Sequence, residues 1–254
     1  MQVVIIGSGN TATVLSKLLL ANGFQINQVV SRNIKHAETL ANELNCSASD
    51  FSSPIDENAD IYLIAVSDKG IHEVVNYIPK NNKLILHTAG SVSINVLEHV
   101  ANQFGVLYPL QSLRKEIDVI PEIPFLVDGN NQEVTEMIMQ IGKKISNQVA
   151  IANDEMRLKL HLSAVMVNNF TNHLYTMAAD YCKREQLEFD LLKPLIFETA
   201  NRLKNVHPND VQTGPAIRND SETIEQHEKL LENYPELKAL YVYFTKQIGL
   251  FYKD

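Results

Sequence analysis

The sequence predicts an α/β fold, a mostly parallel sheet covered by helices on both faces, followed by an all-helical region. Three observations lead to it. Short apolar runs alternate with helix-period segments from residue 2 to about 152, a glycine-rich turn joins the first run to the first helix, and the strand pattern stops at Asn153.

The elements follow in order. Gln2–Ile6 reads as a buried strand, Gly7-Ser8-Gly9-Asn10-Thr11-Ala12 as a turn, and the apolar-periodic run from Val14 as a helix ending near Asn22 and Gly23. A second strand spans Gln25–Val30, a helix runs through 36–41, and a short third strand lies near 46–48. The fourth strand, 60–66, leads into the polar turn 67–70, and the fifth, 83–87, ends in Thr88-Ala89-Gly90-Ser91. A sixth, 105–108, runs into Pro109-Leu110-Gln111-Ser112-Leu113, and strands at 123–127 and 148–151 flank one more helix and finish the sheet.

From Asn153 only helices are expected. Residues 154–183 contain no Pro or Gly and make one long helix, about 45 Å at the usual rise. A second helix covers 190–204, with Pro194 tolerated near its first turn. A loop, 205–220, separates it from helices at 221–232 and 235–252. The expected domains are therefore 1–152 and 153–254. The second is small and elongated for so long a helix, so dimerisation through it is expected.

The opening strand, turn and helix form a G-x-G-x-x-A dinucleotide-binding fingerprint in its required context. Gly7 permits the tight turn, Gly9 lets bare backbone approach a pyrophosphate, and Ala12 is small enough for close packing of helix on strand. The first-turn amides of the helix face the anion. Where an NAD-binding unit carries an acid for the ribose hydroxyls, this chain has Ser31-Arg32. Ser31 can donate to a 2′-phosphate and Arg32 can pair with it through its planar fork, which points to NADP. The alternative is that Arg32 is a solvated helix-start residue and the ribose is held elsewhere.

Ligands of such sheets bind beyond the carboxyl ends of the strands. The loops after strands one, four, five and six should share one cleft, placing Ser67, Asp68, His87, Thr88, Gly90, Ser91 and Tyr108 around the nicotinamide, with Val66 and Ala89 also touching the cofactor.

Composition narrows the class. The 254 residues are 45% hydrophobic and 20% charged, as in a soluble globular protein. The net charge of −8 argues against a nucleic-acid or anionic-membrane surface. The two cysteines, Cys46 and Cys182, form no C-x-x-C pair and suit a reducing cytoplasm better than a disulfide scaffold or a zinc site, so no metal is expected. The apolar N-terminus lacks the basic leader and cleavage site of a signal peptide, and no stretch approaches the ~20 apolar residues of a membrane span. G-x-S-x-G, H-E-x-x-H and P-loop patterns do not occur.

Two constellations remain. On the long helix, His161, Asn168, Asn169, Asn172 and His173 interrupt the apolar face near one side. The stripe either lines a cleft, with His161 as proton donor and Asn168 or Asn169 holding a substrate carbonyl or amine, or belongs to a dimer interface or to satisfied core amides. In residues 212–220, Arg218 can bind a substrate carboxylate or a cofactor phosphate, while Asp220 reads as a helix N-cap and His227 as a half-buried packing residue. His87 either sits over the cofactor or bridges loop backbone groups. The candidate catalytic residues are thus His161, His87 and Asn169, and the candidate substrate contacts Tyr108, Asn168 and Arg218.

Taken together, the opening fingerprint, Ser31-Arg32, His87-Thr88-Ala89-Gly90-Ser91, Gly105-Val106-Leu107-Tyr108-Pro109-Leu110-Gln111-Ser112, His161 and Thr213-Gly214-Pro215-Ala216-Ile217-Arg218-Asn219-Asp220 resemble one family over nearly the whole chain. It is the group of NADP oxidoreductases with a Rossmann-like domain followed by an all-helical C-terminal domain of unknown function. Wider kin include pyrroline-5-carboxylate reductase, deazaflavin-dependent NADP reductases, and the 6-phosphogluconate and β-hydroxyacid dehydrogenases. The resemblance implies a Rossmann-type sheet and a 6-phosphogluconate dehydrogenase C-terminal-like helical domain. Asn219 departs from the family motif, which has glycine there, and asparagine tolerates a left-handed backbone. The β-hydroxyacid enzymes' lysine with an asparagine four residues later is also missing, since Lys159 is followed by Ser163.

The resemblance implies an NADP(H)-dependent oxidoreductase acting on a small imine or carbonyl compound bound between the two domains, with an imine asking least of the protein. Two rivals stand beside it: a non-catalytic NADP-binding sensor or interaction protein, and a deazaflavin-type NADP reductase.

Overall fold

Val3 and Ile5 pack on one side of the first strand and Val4 and Ile6 on the other, because successive side chains on a strand point to opposite faces. A strand apolar on both faces must be covered twice, and this one is. The computed structural model, which describes every residue except Asn81, Asp118 and Asp254, shows an eight-stranded sheet with helices on both faces. Its strands are β1 (Gln2–Ile6), β2 (Gln25–Val30), β3 (Ser47–Ser49), β4 (Ile61–Ile64), β5 (Leu84–His87), β6 (Gln103–Pro109), β7 (Phe125–Gly129) and β8 (Val149–Ile151), in the order β3-β2-β1-β4-β5-β6-β7-β8.

β2 pairs with one edge of β1 and β4 with the other, both parallel. Strand order therefore reverses at β1, and the crevice for a ligand opens beyond the carboxyl ends of β1 and β4. One pair, β6–β7, is antiparallel. The segment between them carries Pro121 and Pro124 and, among its described residues, no crossover helix, which a parallel return would need.

Helices α1 (Asn10–Ala21), α2 (Ile34–Leu44), α3 (Asp68–Val74) and α4 (Gln132–Ile145) cover the sheet. Asn33 caps α2 by accepting from the Lys35 amide, and Asn131 caps α4 by accepting from Val134. After β8, Asn153 caps α5 (Asp154–Ala164), with Asp154 and Glu155 complementing the positive end of its dipole.

The Pro- and Gly-free run is helical throughout but not uniform. Val165–Phe170 form a π-helical turn between α5 and α6 (Thr171–Arg184). The remaining helices are α7 (Lys193–Arg202), α8 (Ser221–Leu230) and α9 (Pro235–Phe251), so an all-helical region follows the sheet. Pro194 sits in the first turn of α7, and Asp220 caps α8 by accepting from the Thr223 amide. Asn219, with φ 53°, holds the left-handed conformation that the turn before α8 requires.

By internal packing the chain divides into two compact units, Met1–Phe170 and Thr171–Asp254. The first contains the sheet, α5 and the π turn. Within the second, His227 Nδ1 lies 2.8 Å from the Tyr241 hydroxyl. Among the described residues no helix is long and apolar enough to cross a membrane.

Candidate active site

The glycine-rich turn is set by sterics. Gly7 has φ +127°, and a Cβ there would stand 2.2 Å from the Ala65 carbonyl oxygen, so no other residue fits between β1 and the end of β4. The Gly7 amide donates to Val30 O at 2.8 Å, which ties the turn to the tip of β2. Gly9 is the N-cap of α1, with no side-chain cap and no acid in the first turn, so the leading amides of this helix are turned toward the groove without a built-in partner. A Cβ at Gly9 would meet no protein atom within 4 Å.

A groove of about 530 Å³ runs along this edge of the sheet. It brings together Gly7, Ser8, Gly9, Asn10, Thr11, Ser31, Arg32, Val66, Ser67, Thr88, Ala89, Gly90, Tyr108 and His161 from the candidates named above. At one end Ser8 Oγ and Ser31 Oγ lie 2.8 Å apart, and Arg32 reaches Glu73 at 3.4 Å, with both side chains largely exposed. Such a pair holds weakly and leaves the guanidinium open to a stronger anion.

At the other end the Tyr108 hydroxyl is 2.9 Å from His161 Nδ1, with the rings edge to face. Gly90 makes that meeting possible, since a Cβ there would sit 2.8 Å from Tyr108 Cζ and 2.9 Å from His161 Nδ1. Burial pushes the Tyr108 phenol above its usual pKa, the charge of Asp68 adds to this, and Arg157 opposes it. Asp68 accepts from the Ser91 hydroxyl beside the groove.

Ala12, His87 and Arg218 line neither this groove nor the one described below. Ala12 is fully buried on the inner face of α1, where its small size serves packing. His87 is also fully buried; its Nδ1 accepts from the Ala89 amide at 3.2 Å, and its Nε2 has no hydrogen-bond partner among the described residues. Burial, then the charge of Arg157, lowers its pKa from 6.5 to about 4. Arg218 stands exposed in the second unit on the turn before α8.

The groove also uses residues that the sequence did not single out: Phe51, Ala65, Gly70 and Val74. Only the rule that ligands sit past strand ends could have found Phe51, which follows β3. Arg157 was also missed. It is fully buried on α5, donates to Val92 O and Asp154 Oδ1 at 2.6 Å each, and reaches Ala152 O at 3.4 Å. Asp154 in turn accepts from the Ile94 amide, so this cluster fastens the first turn of α5 to the loop after β5.

A second groove of about 510 Å³ lies against α5 and the π turn, and Asn168 and Asn169 line it together with Tyr108 and His161. No cluster of three or more potential metal ligands occurs among the described residues.

A doubly wound sheet with a glycine turn at its switch point, followed by a helical region, defines the Rossmann-type class of nucleotide-binding proteins. Residues 2–90 match a family described as NADP oxidoreductase, coenzyme F420-dependent, and residues 123–248 match a domain of unknown function, DUF2520. The crystal structure of a candidate NADP oxidoreductase from Bacteroides fragilis is 37% identical, with TM-score 0.90, over 98% of this chain and 97% of that one. The chain belongs to this NADP oxidoreductase family. The fold is shared with 1-pyrroline-5-carboxylate reductase of Streptococcus pyogenes, at TM-score 0.66 and 12% identity over 98% of each chain. A curated relative, glutamyl-tRNA reductase of Methanosphaera stadtmanae, is 20% identical over 92% of this chain, which spans 59% of that protein's length.

Proposed function

We propose that the protein is an NADP(H)-dependent oxidoreductase that moves hydride between the nicotinamide and a small imine or carbonyl compound. The observation that carries this reading is the continuity of one groove from Ser31 and Arg32, past the glycine-rich turn, to Tyr108 and His161. The residues fit the cofactor. Gly7 and Gly9 keep side chains out of the pyrophosphate's path, the first turn of α1 offers amides, and Ser31 and Arg32 offer donors where an acid would repel a 2′-phosphate.

When bound, the cofactor supplies the hydride. The chain supplies position and a proton. The Tyr108 phenol, kept protonated by its burial, donates to the nitrogen or oxygen of the C=N or C=O bond as the carbon accepts hydride, giving the amine or alcohol. His161 returns a proton to Tyr108 through the 2.9 Å contact, and Asn168 and Asn169 hold the substrate's polar group. His87, neutral and buried, supports the loop from behind. The reading is completed by a homodimer formed through the helical region and by a reducing cytoplasm, which suits the free thiols of Cys46 and Cys182.

Fluorescence titration with NADPH and NADH tests the cofactor. Arg32→Ala should weaken NADPH binding about tenfold and NADH binding less than about twofold, the worth of one charge-assisted contact; equal losses refute the choice of NADP. A His161→Ala variant that keeps cofactor affinity should lose turnover in a screen of imines and carbonyls. One finding favours a second reading: the N-terminal match is to a family described as coenzyme F420-dependent. Bleaching of a deazaflavin's absorbance by NADPH would select it.

A further inference from the structure

The two grooves of the first unit share two residues, Tyr108 and His161. Beyond that shared wall the second groove is mainly apolar, with uncharged polar groups set into it. Gln111, Ser112, Ser163, Asn168 and Asn169 provide its hydrogen-bonding groups, and among the described residues lining it there is no Asp, Glu, Lys or Arg. Leu110, Leu160, Val165 and Val167 supply its apolar surface.

Two features mark it as more than a gap between side chains. The π turn Val165–Phe170 widens the helix where Asn168 and Asn169 lie, and π turns recur at functional sites because they re-aim side chains at a cost in regular helix geometry. Asn168 and Asn169 are both exposed and form no side-chain hydrogen bond to other described residues, so their carboxamides are open to a ligand, whereas nearby Ser163 donates to Lys159 O.

We infer that this groove is the substrate site and that it takes uncharged imines or carbonyl compounds bearing an amide, ester or alkyl group, and rejects their carboxylate counterparts. The inference rests on the dinucleotide reading above. A carboxylate entering here gives up part of its hydration and finds no Lys or Arg among the described lining residues to pair with. The net charge of −8 and the acidic side chain of Asp68, whose effect at Tyr108 exceeds the opposing one of the buried Arg157, disfavour an anion further. A neutral amide loses less hydration and can both donate to and accept from the Asn168 and Asn169 side chains.

The test uses substrate pairs that differ in charge: pyruvamide against pyruvate, and ethyl 4-oxopentanoate against 4-oxopentanoate. Binding to the full-length protein saturated with NADP⁺, where no turnover occurs, is read by saturation-transfer NMR, and NADPH consumption is read in parallel. The neutral member of a pair should bind at least about tenfold more tightly, the usual scale for an uncompensated buried charge. Joint substitution Asn168→Ala with Asn169→Ala should abolish that binding while NADPH affinity stays within about twofold, because neither residue lines the nucleotide groove. Equal or stronger binding of the carboxylates, or no binding of either member, overturns the inference while leaving the dinucleotide reading intact. Failure of NADPH itself to bind overturns that reading and this one with it.

Discussion

At the scale of single residues, two glycines show how different one missing methyl group can be. At Gly7 the obstacle is backbone, the Ala65 carbonyl at 2.2 Å, and the backbone itself has φ +127°. Gly7→Ala should cost about 3 kcal/mol or more in urea unfolding, since neither strain nor clash can relax cheaply. At Gly90 the obstacles are the ring atoms of Tyr108 and His161, which can move. Gly90→Ala should cost about 1 kcal/mol yet separate the pair, seen as changed His161 imidazole chemical shifts at fixed pH.

His87 makes a second prediction at this scale. Burial first, and the charge of Arg157 second, depress its folded pKa to about 4 from 6.5, so the unfolded chain binds its proton more readily. The neutral ring's contribution is complete above pH about 6.5 and is lost as pH falls toward about 4, at most about 3 kcal/mol. Urea unfolding at pH 7.5 and 4.5 should show a smaller loss for His87→Gln than for the native chain. The glycine turn and Ser31-Arg32 were legible because each is a short run contiguous in sequence at the end of a recognisable strand. Tyr108 and His161 were legible singly but not as a pair, since 53 residues separate them and a space left by Gly90 joins them.

At the scale of elements, the fate of α5 turns on Arg157. Its guanidinium is buried, with two carbonyls and one carboxylate as partners, while Nε has none among the described residues. Burial alone would raise the pKa of Asp154, but hydrogen bonds from Ser93, Arg157 and the Ile94 amide outweigh it and hold the carboxylate ionised. Arg157→Met should cost about 3 kcal/mol, near the lower end for breaking a buried pair, because Asp154 is partly exposed and regains water. Amide hydrogen exchange should rise in residues 88–94, which Arg157 anchors, and stay unchanged at β1. The strands and caps around this helix could be read from apolar runs and Asn positions. The π turn could not, because no Pro or Gly marks it and its residues keep an ordinary helical composition. The antiparallel β7 escaped notice for a similar reason: strand direction is set by the connection, and an apolar run reads the same both ways.

At the scale of the whole molecule, each unit leaves apolar side chains in water. In the first, Leu162, Met166, Val167 and Phe170 of α5 and the π turn are more than half exposed; in the second, Leu191, Leu195, Phe197 and Phe251 are so as well. Isolated exposed leucines need no explanation, but successive ones along a helix do. The length of the unbroken helical run already pointed to this, because a helical region of this size has too little interior to bury it. A second copy of the chain is the economical cover, because a symmetric interface uses the same patch twice. Light scattering coupled to size exclusion should therefore give about twice the chain mass of 28.6 kDa. Leu162→Glu together with Phe170→Glu should shift it to the monomer, since two buried carboxylates per chain, four per interface, are not tolerated without partners. The monomer should keep its affinity for NADPH, because neither residue lines the nucleotide groove. A native chain that runs at monomer mass at micromolar concentration would remove the dimer and leave these faces to another partner.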